Sequence, residues 1–148
     1  MRQTYAFRCG YCGITETETG TELTEDHFQP RRHGGTDDFA NIVYCCHACN
    51  SYKGDCWNPS GDDRILHPLH DDVASHLQTD ANGTITGTTP TGTFHVARLH
   101  LNRPPLIAYR TDRLAVYRNG LQIAALAEEV AIIRGLLSEL LRGTASNG

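Results

Sequence analysis

The sequence predicts an α+β chain: a small cysteine-stapled module over residues 1–62, then a C-terminal extension over residues 63–148 with a short β-hairpin and a long helix. Three observations lead there. All six cysteines lie between Cys9 and Cys56 and include two C-x-x-C pairs. Short alternating stretches bounded by Gly and Pro run through the same half. From Pro104 onward the apolar residues recur instead at steps of three and four.

Taken in order, Tyr5-Ala6-Phe7-Arg8 alternates like a short strand leading into Cys9. Glu22 to Phe28 alternates again and stops before Pro30 and the Gly34-Gly35 pair. Asp37 to Tyr44 leads back towards Cys45 and Cys46, and Ser51-Tyr52-Lys53-Gly54 reads as the first turn of a short helix. Asn58-Pro59-Ser60-Gly61 is the expected seam between the halves. Beyond it, Asn82-Gly83 followed by Thr84 to Gly87 predicts a hairpin. Phe94, Ala97 and Leu101 fit one helical face, and Pro104-Pro105 suits the start of the last helix. That helix is expected to reach Arg142, with Gly120 as a break and Gly143 as a stop. Within it Ile123, Leu126, Val130, Ile133, Leu137 and Leu140 form an a/d heptad seam, suited to packing on the same chain or to a homodimer.

Composition narrows the function. With 39% hydrophobic and 20% charged residues the chain is neither disordered nor fibrous. No apolar run spans a bilayer, and Arg2-Gln3-Thr4 after Met1 leads into no apolar leader, so a cytoplasmic protein without membrane association is expected. The net charge is −4, and residues 1–62 carry all of that excess, five basic against nine acidic residues. Binding to nucleic acid through bulk positive charge is excluded; any such contact needs a local basic patch or bound cations.

In such a chain six cysteines point to metal or catalysis rather than disulfides. Cys9-Gly10-Tyr11-Cys12 and Cys46-His47-Ala48-Cys49 can each bite one ion, because two intervening residues let both sulfurs face one point. Four thiolates complete a closed tetrahedral zinc site, which is structural. Gly10 and Gly13 relieve the tight turn. Cys45 could replace Cys46, but only Cys46 keeps the two-residue gap to Cys49. Cys45 and Cys56 read as small packed side chains, and His47 as an exposed one. The 33 residues between the pairs are long for such a cage and predict a functional element inserted between its halves.

That element reads Glu25-Asp26-His27-Phe28-Gln29-Pro30-Arg31-Arg32-His33-Gly34-Gly35, with Asn41 and Asn50 following 14 and 23 residues after His27. Neighbours on a strand point to opposite faces, so Asp26 and His27 can serve one centre only where the strand ends or bulges. The pattern D-H-x-x-P-R-x-x-G-G, then Asn41-Ile42-Val43, then C-x-x-C-N-x-x-K resembles the HNH endonuclease family, the ββα-metal nucleases, over roughly residues 5–55. The tail is similar to the extension of one bacterial branch of that family, through His67-Pro68, Gly87 to Gly92 and Leu101-Asn102-Arg103-Pro104, and carries no assigned chemistry.

The resemblance implies an endonuclease that hydrolyses DNA, double-stranded DNA above all. His27, as neutral imidazole, is the implied general base. Asp26 and Asn50 are the implied ligands of one Mg²⁺ or Mn²⁺, which acts as Lewis acid at the phosphate and leaving group. Asn41 is implied to pin the loop and orient His27. Glu25 is a candidate to replace Asp26 as the ligand or to join it, depending on how the strand ends. Arg31, Arg32 and Lys53, three of the five basic residues in the first half, are candidate phosphate contacts. His33 is either a second donor or a loop residue without a role. His67, His70, His76, His95 and His100 lack ligand-like spacing and read as structural or surface residues. The rival readings are a non-catalytic zinc module that contacts nucleic acid or protein, and a thiol redox protein, which would need an exposed low-pKa cysteine.

Overall fold

The computed structural model describes the backbone of residues 1–145 and the side chains to residue 138. It forms two compact units, residues 1–111 and 112–148. In chain order the elements are α1 (Glu16–Thr19), β1 (Thr24–His27), β2 (Ile42–Cys45), α2 (His47–Lys53), α3 (Val73–His76), β3 (Leu77–Thr79), β4 (Ile85–Gly87), α4 (Pro90–Arg98) and α5 (Pro104–Ala145). Single 3₁₀ turns at Arg31–His33 and Phe39–Asn41 shape the loop between β1 and β2.

β1 and β2 pair antiparallel, with Thr24 opposite Cys45, Glu25 opposite Tyr44, Asp26 opposite Val43 and His27 opposite Ile42. α2 follows at once, so residues 24–53 form the expected ββα unit. The hairpin of the extension is also present: β3 pairs with β4, Gln78 facing Thr86. Gly83 takes the left-handed turn position (φ 82°) that favours glycine.

Four local expectations are corrected. Residues 5–7 form turns rather than a strand, with Ala6 and Phe7 at positive φ (47° and 58°), and Arg8 makes only an isolated bridge to Thr15. The bend buries Tyr5 in the core and leaves Phe7 exposed, which a straight alternating strand could not do. Ser51 to Gly54 is the end of α2, not its beginning. The helix starts four residues earlier because the Cys46 sulfur caps it, accepting from the Cys49 N–H at 3.5 Å. α4 ends at Arg98, so Leu101 lies beyond it. α5 runs through both Gly120 and Gly143; a helix glycine costs only about 1 kcal/mol against alanine, and the neighbouring Leu, Ala, Glu and Arg residues outweigh that.

The seam at 58–61 does not divide two cores. Ile65, Leu99, Leu101 and Leu106 pack in one cluster with Cys9, Cys12, Val43, Tyr44, Cys46 and Cys49. Residues 63–111 therefore complete the interior that the small ββα unit is too short to build alone. In the second unit, the seam positions Ile123, Leu126, Val130, Ile133 and Leu137 are all exposed; the Leu140 side chain lies outside the described residues. No helix among the described residues is long and apolar enough to cross a membrane.

Candidate active site and metal centre

The four cysteine sulfurs of the two C-x-x-C pairs come together, buried, with all ligand atoms within 4.8 Å of one another. A tetrahedron of Zn–S bonds at about 2.3 Å places its sulfurs about 3.8 Å apart. The Cys12 and Cys46 sulfurs stand at 3.8 Å. The donor set and its spacing therefore fit zinc. Each pair closes in the same way: Cys12 N–H points to the Cys9 sulfur, as Cys49 N–H does to that of Cys46, both at 3.5 Å. The Gly10 N–H donates to the Tyr44 carbonyl at 2.8 Å, locking the first pair to β2. Cys45, fully buried, stands outside the set; burial pushes its thiol up, keeping it neutral and unsuited as a ligand.

β1 carries the inserted chemistry. By strand alternation Thr24 and Asp26 share one face, the one α2 covers, while Glu25 turns away and is exposed. Asn50 reaches that face from α2, its amide nitrogen 3.5 Å from the Thr24 hydroxyl. This leaves the Asn50 oxygen as the donor for a cation. Asp26 and Asn50 are both hard oxygen donors, and a Mg²⁺ ion held by few protein groups completes its shell with water and phosphate. The residues present fit such an ion. Glu25 does not join them.

Lys53, one helical turn after Asn50, is buried with its ammonium 2.9 Å from Asp26 Oδ2. It also donates to the carbonyls of His27 at 2.7 Å and Gly54 at 3.3 Å. Its own carbonyl accepts from Arg98 at 2.9 Å. This corrects its assignment as a phosphate contact: a wholly buried ammonium that donates to two carbonyls and is ion-paired with Asp26 is not presented to a nucleic acid. Its task is to hold the end of β1 against α2 and to occupy one Asp26 oxygen.

His27 is the last residue of β1. Its Nε2 lies 2.6 Å from Asp37 Oδ1 and 3.3 Å from Arg31 Nε. With hydrogen on Nε2 the ring donates to Asp37 and keeps its lone pair on Nδ1; in the other tautomer Nε2 accepts from Arg31 Nε–H. Arg31 grips the same carboxylate through Nη2, at 2.6 and 2.7 Å. The His27 hydrogen bond, and then the Arg31 guanidinium, hold the Asp37 carboxyl below its usual range.

Asn41 staples the loop. Its side-chain oxygen accepts from Gln29 N–H at 2.8 Å, and its amide donates to Gln29 O at 3.1 Å and Thr36 O at 2.7 Å. Its carbonyl accepts from the N–H of Phe28, next to His27, at 2.7 Å. Gly35 makes the close approach possible, since a Cβ there would sit 1.8 Å from the Gln29 oxygen. Arg32 pairs with Asp55 at 2.9 Å and, like Arg31, is largely exposed. His33 is exposed, as is His47. His67 and His95 are buried, and each accepts a backbone N–H at Nδ1, from Leu69 and Leu66 respectively. They are structural.

Sequence reasoning missed Asp37, Thr24 and Arg103. The first is an ordinary acidic loop residue until the chain folds back. Arg103 lay in a motif without chemistry, yet its guanidinium reaches two of the cage sulfurs.

A ββα unit clamped by a four-cysteine cage, with Asp-His at the end of β1 and Asn on the helix, defines the class as a ββα-metal module. Residues 9–56 match the family model described as HNH endonuclease. The matched span runs from the first cage cysteine to Cys56 and contains the ββα unit, the four cage cysteines, Asp26, His27, Asn41 and Asn50. No curated protein and no solved structure matches the chain.

Proposed function

We propose that this chain is a metal-dependent endonuclease that hydrolyses phosphodiester bonds of DNA, in a reducing, cytoplasmic setting that keeps the cage thiols reduced. The reading is supported by the junction of β1 and α2, where Asn50 reaches Thr24 and Lys53 reaches Asp26, and by the His27 Nε2 contact with Asp37. With Nε2–H on Asp37, His27 Nδ1 takes the proton of the attacking water. Asp26, with one oxygen committed to Lys53, offers its other oxygen, and Asn50 its amide oxygen, to Mg²⁺ or Mn²⁺. That ion supplies Lewis-acid stabilisation of the phosphate and of the departing 3′-oxygen. Asn41 keeps the loop, and with it Asp37, in place. Arg31 and Arg32 offer planar forks of donors to the DNA backbone.

Plasmid nicking with Mg²⁺ or Mn²⁺, comparing wild type with His27→Ala, tests the reading. The variant should keep its zinc and fold yet lose about 100-fold or more in rate, the usual share of a general base. Equal cutting by both proteins overturns the assignment. Wild type that binds DNA but never nicks it returns the chain to a non-catalytic zinc module.

The exposed seam of α5 belongs to the same proposal, as the surface that pairs two copies of the chain. With Ile123, Val130 and Leu137 at a and Leu126 and Ile133 at d, Glu129 falls at g and Arg134 at the following e. In a parallel two-stranded coil these are the positions that meet across the interface with opposite charge. A dimer would address both strands of a duplex. Sedimentation at micromolar concentration should give the dimer mass; a monomer mass removes this part.

A further inference from the structure

We propose that Arg103 is a positioning residue of the zinc cage: its guanidinium donates hydrogen bonds to the Cys46 and Cys49 thiolates and holds the metal in place. The inference rests on the cage holding zinc. One Nη2 lies 3.8 Å from the Cys46 sulfur and 3.6 Å from that of Cys49, both within N–H···S range. Nη1 donates to the carbonyls of Leu99 at 3.2 Å and His100 at 3.3 Å. The cation also lies over the Tyr52 ring, 5.5 Å from its centroid. Tyr52 is stacked in turn on His100 at 4.2 Å.

The group is therefore held by contacts other than those to the sulfurs. Leu99 and Leu101, both fully buried, anchor the chain on either side of His100. His100 itself takes a left-handed turn (φ 48°) that sends Arg103 back over the cage. Pro104 then opens α5, so the segment cannot relax into a longer α4. Unlike a flexible surface arginine, this one loses little side-chain freedom on meeting the sulfurs.

The chemistry of the cage gives the contact its purpose. Zn²⁺ with four thiolates carries a net charge of about −2 in a buried site, and such a charge demands compensation. The two backbone N–H···S contacts fall on Cys9 and Cys46. Arg103 adds a donor to Cys46 and reaches Cys49, which neither backbone contact serves. A cationic donor also lowers the energy of the sulfur lone pairs, making both thiolates poorer targets for protonation and for oxidants. Cys49 directly precedes Asn50, so the same contact steadies a proposed ligand of the catalytic ion. The Leu101-Asn102-Arg103-Pro104 stretch thereby acquires a role.

Zinc release from the full-length protein to a chromophoric chelator tests the inference, after zinc content has been measured. One zinc per chain is required; a protein purified without zinc overturns the cage reading itself, a separate failure. Arg103→Met should release zinc about 10- to 100-fold faster than wild type, the usual cost of losing a partner of a metal ligand. Arg103→Lys, which keeps the charge and a donor, should recover part of that loss, and Arg118→Met should match wild type. In the Co²⁺-substituted protein, the thiolate-to-metal charge-transfer bands should move to longer wavelength in Arg103→Met, because removing donors raises the sulfur levels. Release within twofold of wild type, or faster release with unmoved bands, overturns the proposal. If Arg103→Met fails to fold, the Co²⁺ bands of Arg103→Lys decide, and unmoved bands count against it.

Discussion

Replacing Lys53 by Met removes an ammonium from the interior while keeping a side chain of similar reach. In the folded protein that ammonium lies 2.9 Å from Asp26 Oδ2 and 2.7 Å from the His27 carbonyl. Both partners are lost together. The Asp26 carboxylate, whose side chain is only 17% exposed, then has no counter-charge. Breaking such a pair by deleting one member costs about 3–5 kcal/mol, and an unserved buried carbonyl about 1–3 kcal/mol. The two effects share one geometry and overlap, so a loss of about 4 kcal/mol is expected, a large part of a typical domain's stability. Urea unfolding of the zinc-loaded protein in Mg²⁺-free buffer measures it. Adding Asp26→Asn should return about 2 kcal/mol, since the stranded charge goes with it. A Lys53→Met protein less than 1 kcal/mol destabilised, with weakened DNA affinity instead, would refute the reasoning and restore Lys53 to the surface.

Three other outcomes are expected. Asp37→Ala frees the His27 ring and should slow nicking at least about 10-fold, part of the general-base contribution, while unfolding midpoints in urea stay near wild type. Burial lowers the His67 and His95 pKa values to about 4. Below the ordinary value near 6.5 the unfolded chain takes up protons that the fold refuses, so stability present at neutral pH is lost as pH falls from about 6.5 towards 4. Each histidine accounts for about 2 kcal/mol between pH 7 and 5. His95→Gln should therefore lose about 2 kcal/mol less over that interval than wild type, and equal slopes would contradict the assignment. Cys46→Ser should lose both zinc and the circular dichroism of the folded state, because metal binding and folding are one event in such a module.

Much of the site could be read before the chain was folded, because it is local. A C-x-x-C pair fixes its own geometry within four residues, and Asp26, His27, Asn41 and Asn50 stand at separations that a short hairpin and helix can satisfy. What stayed hidden depends on contacts across the sequence. Lys53 is buried because Arg98 and β1 close over it, which no local pattern announces. Asp37 meets His27 only after the loop has folded around Asn41. The seam at Asn58 to Gly61 showed the right turn chemistry, yet Ile65 and Leu99 cross it to fill one interior. The strand expected at residues 5–8 failed because alternation alone does not say which of two aromatic rings is needed inside.

α2 is seven residues long, well short of what holds together unaided in water. It nonetheless carries one cage cysteine and is capped by a second, and it bears a proposed cation ligand and the lysine that holds β1. Whatever strips or oxidises the sulfur end removes the support of the helix, and the proposed cation ligand goes with it. In the nuclease proposed above, the cage is thus also a built-in fuse.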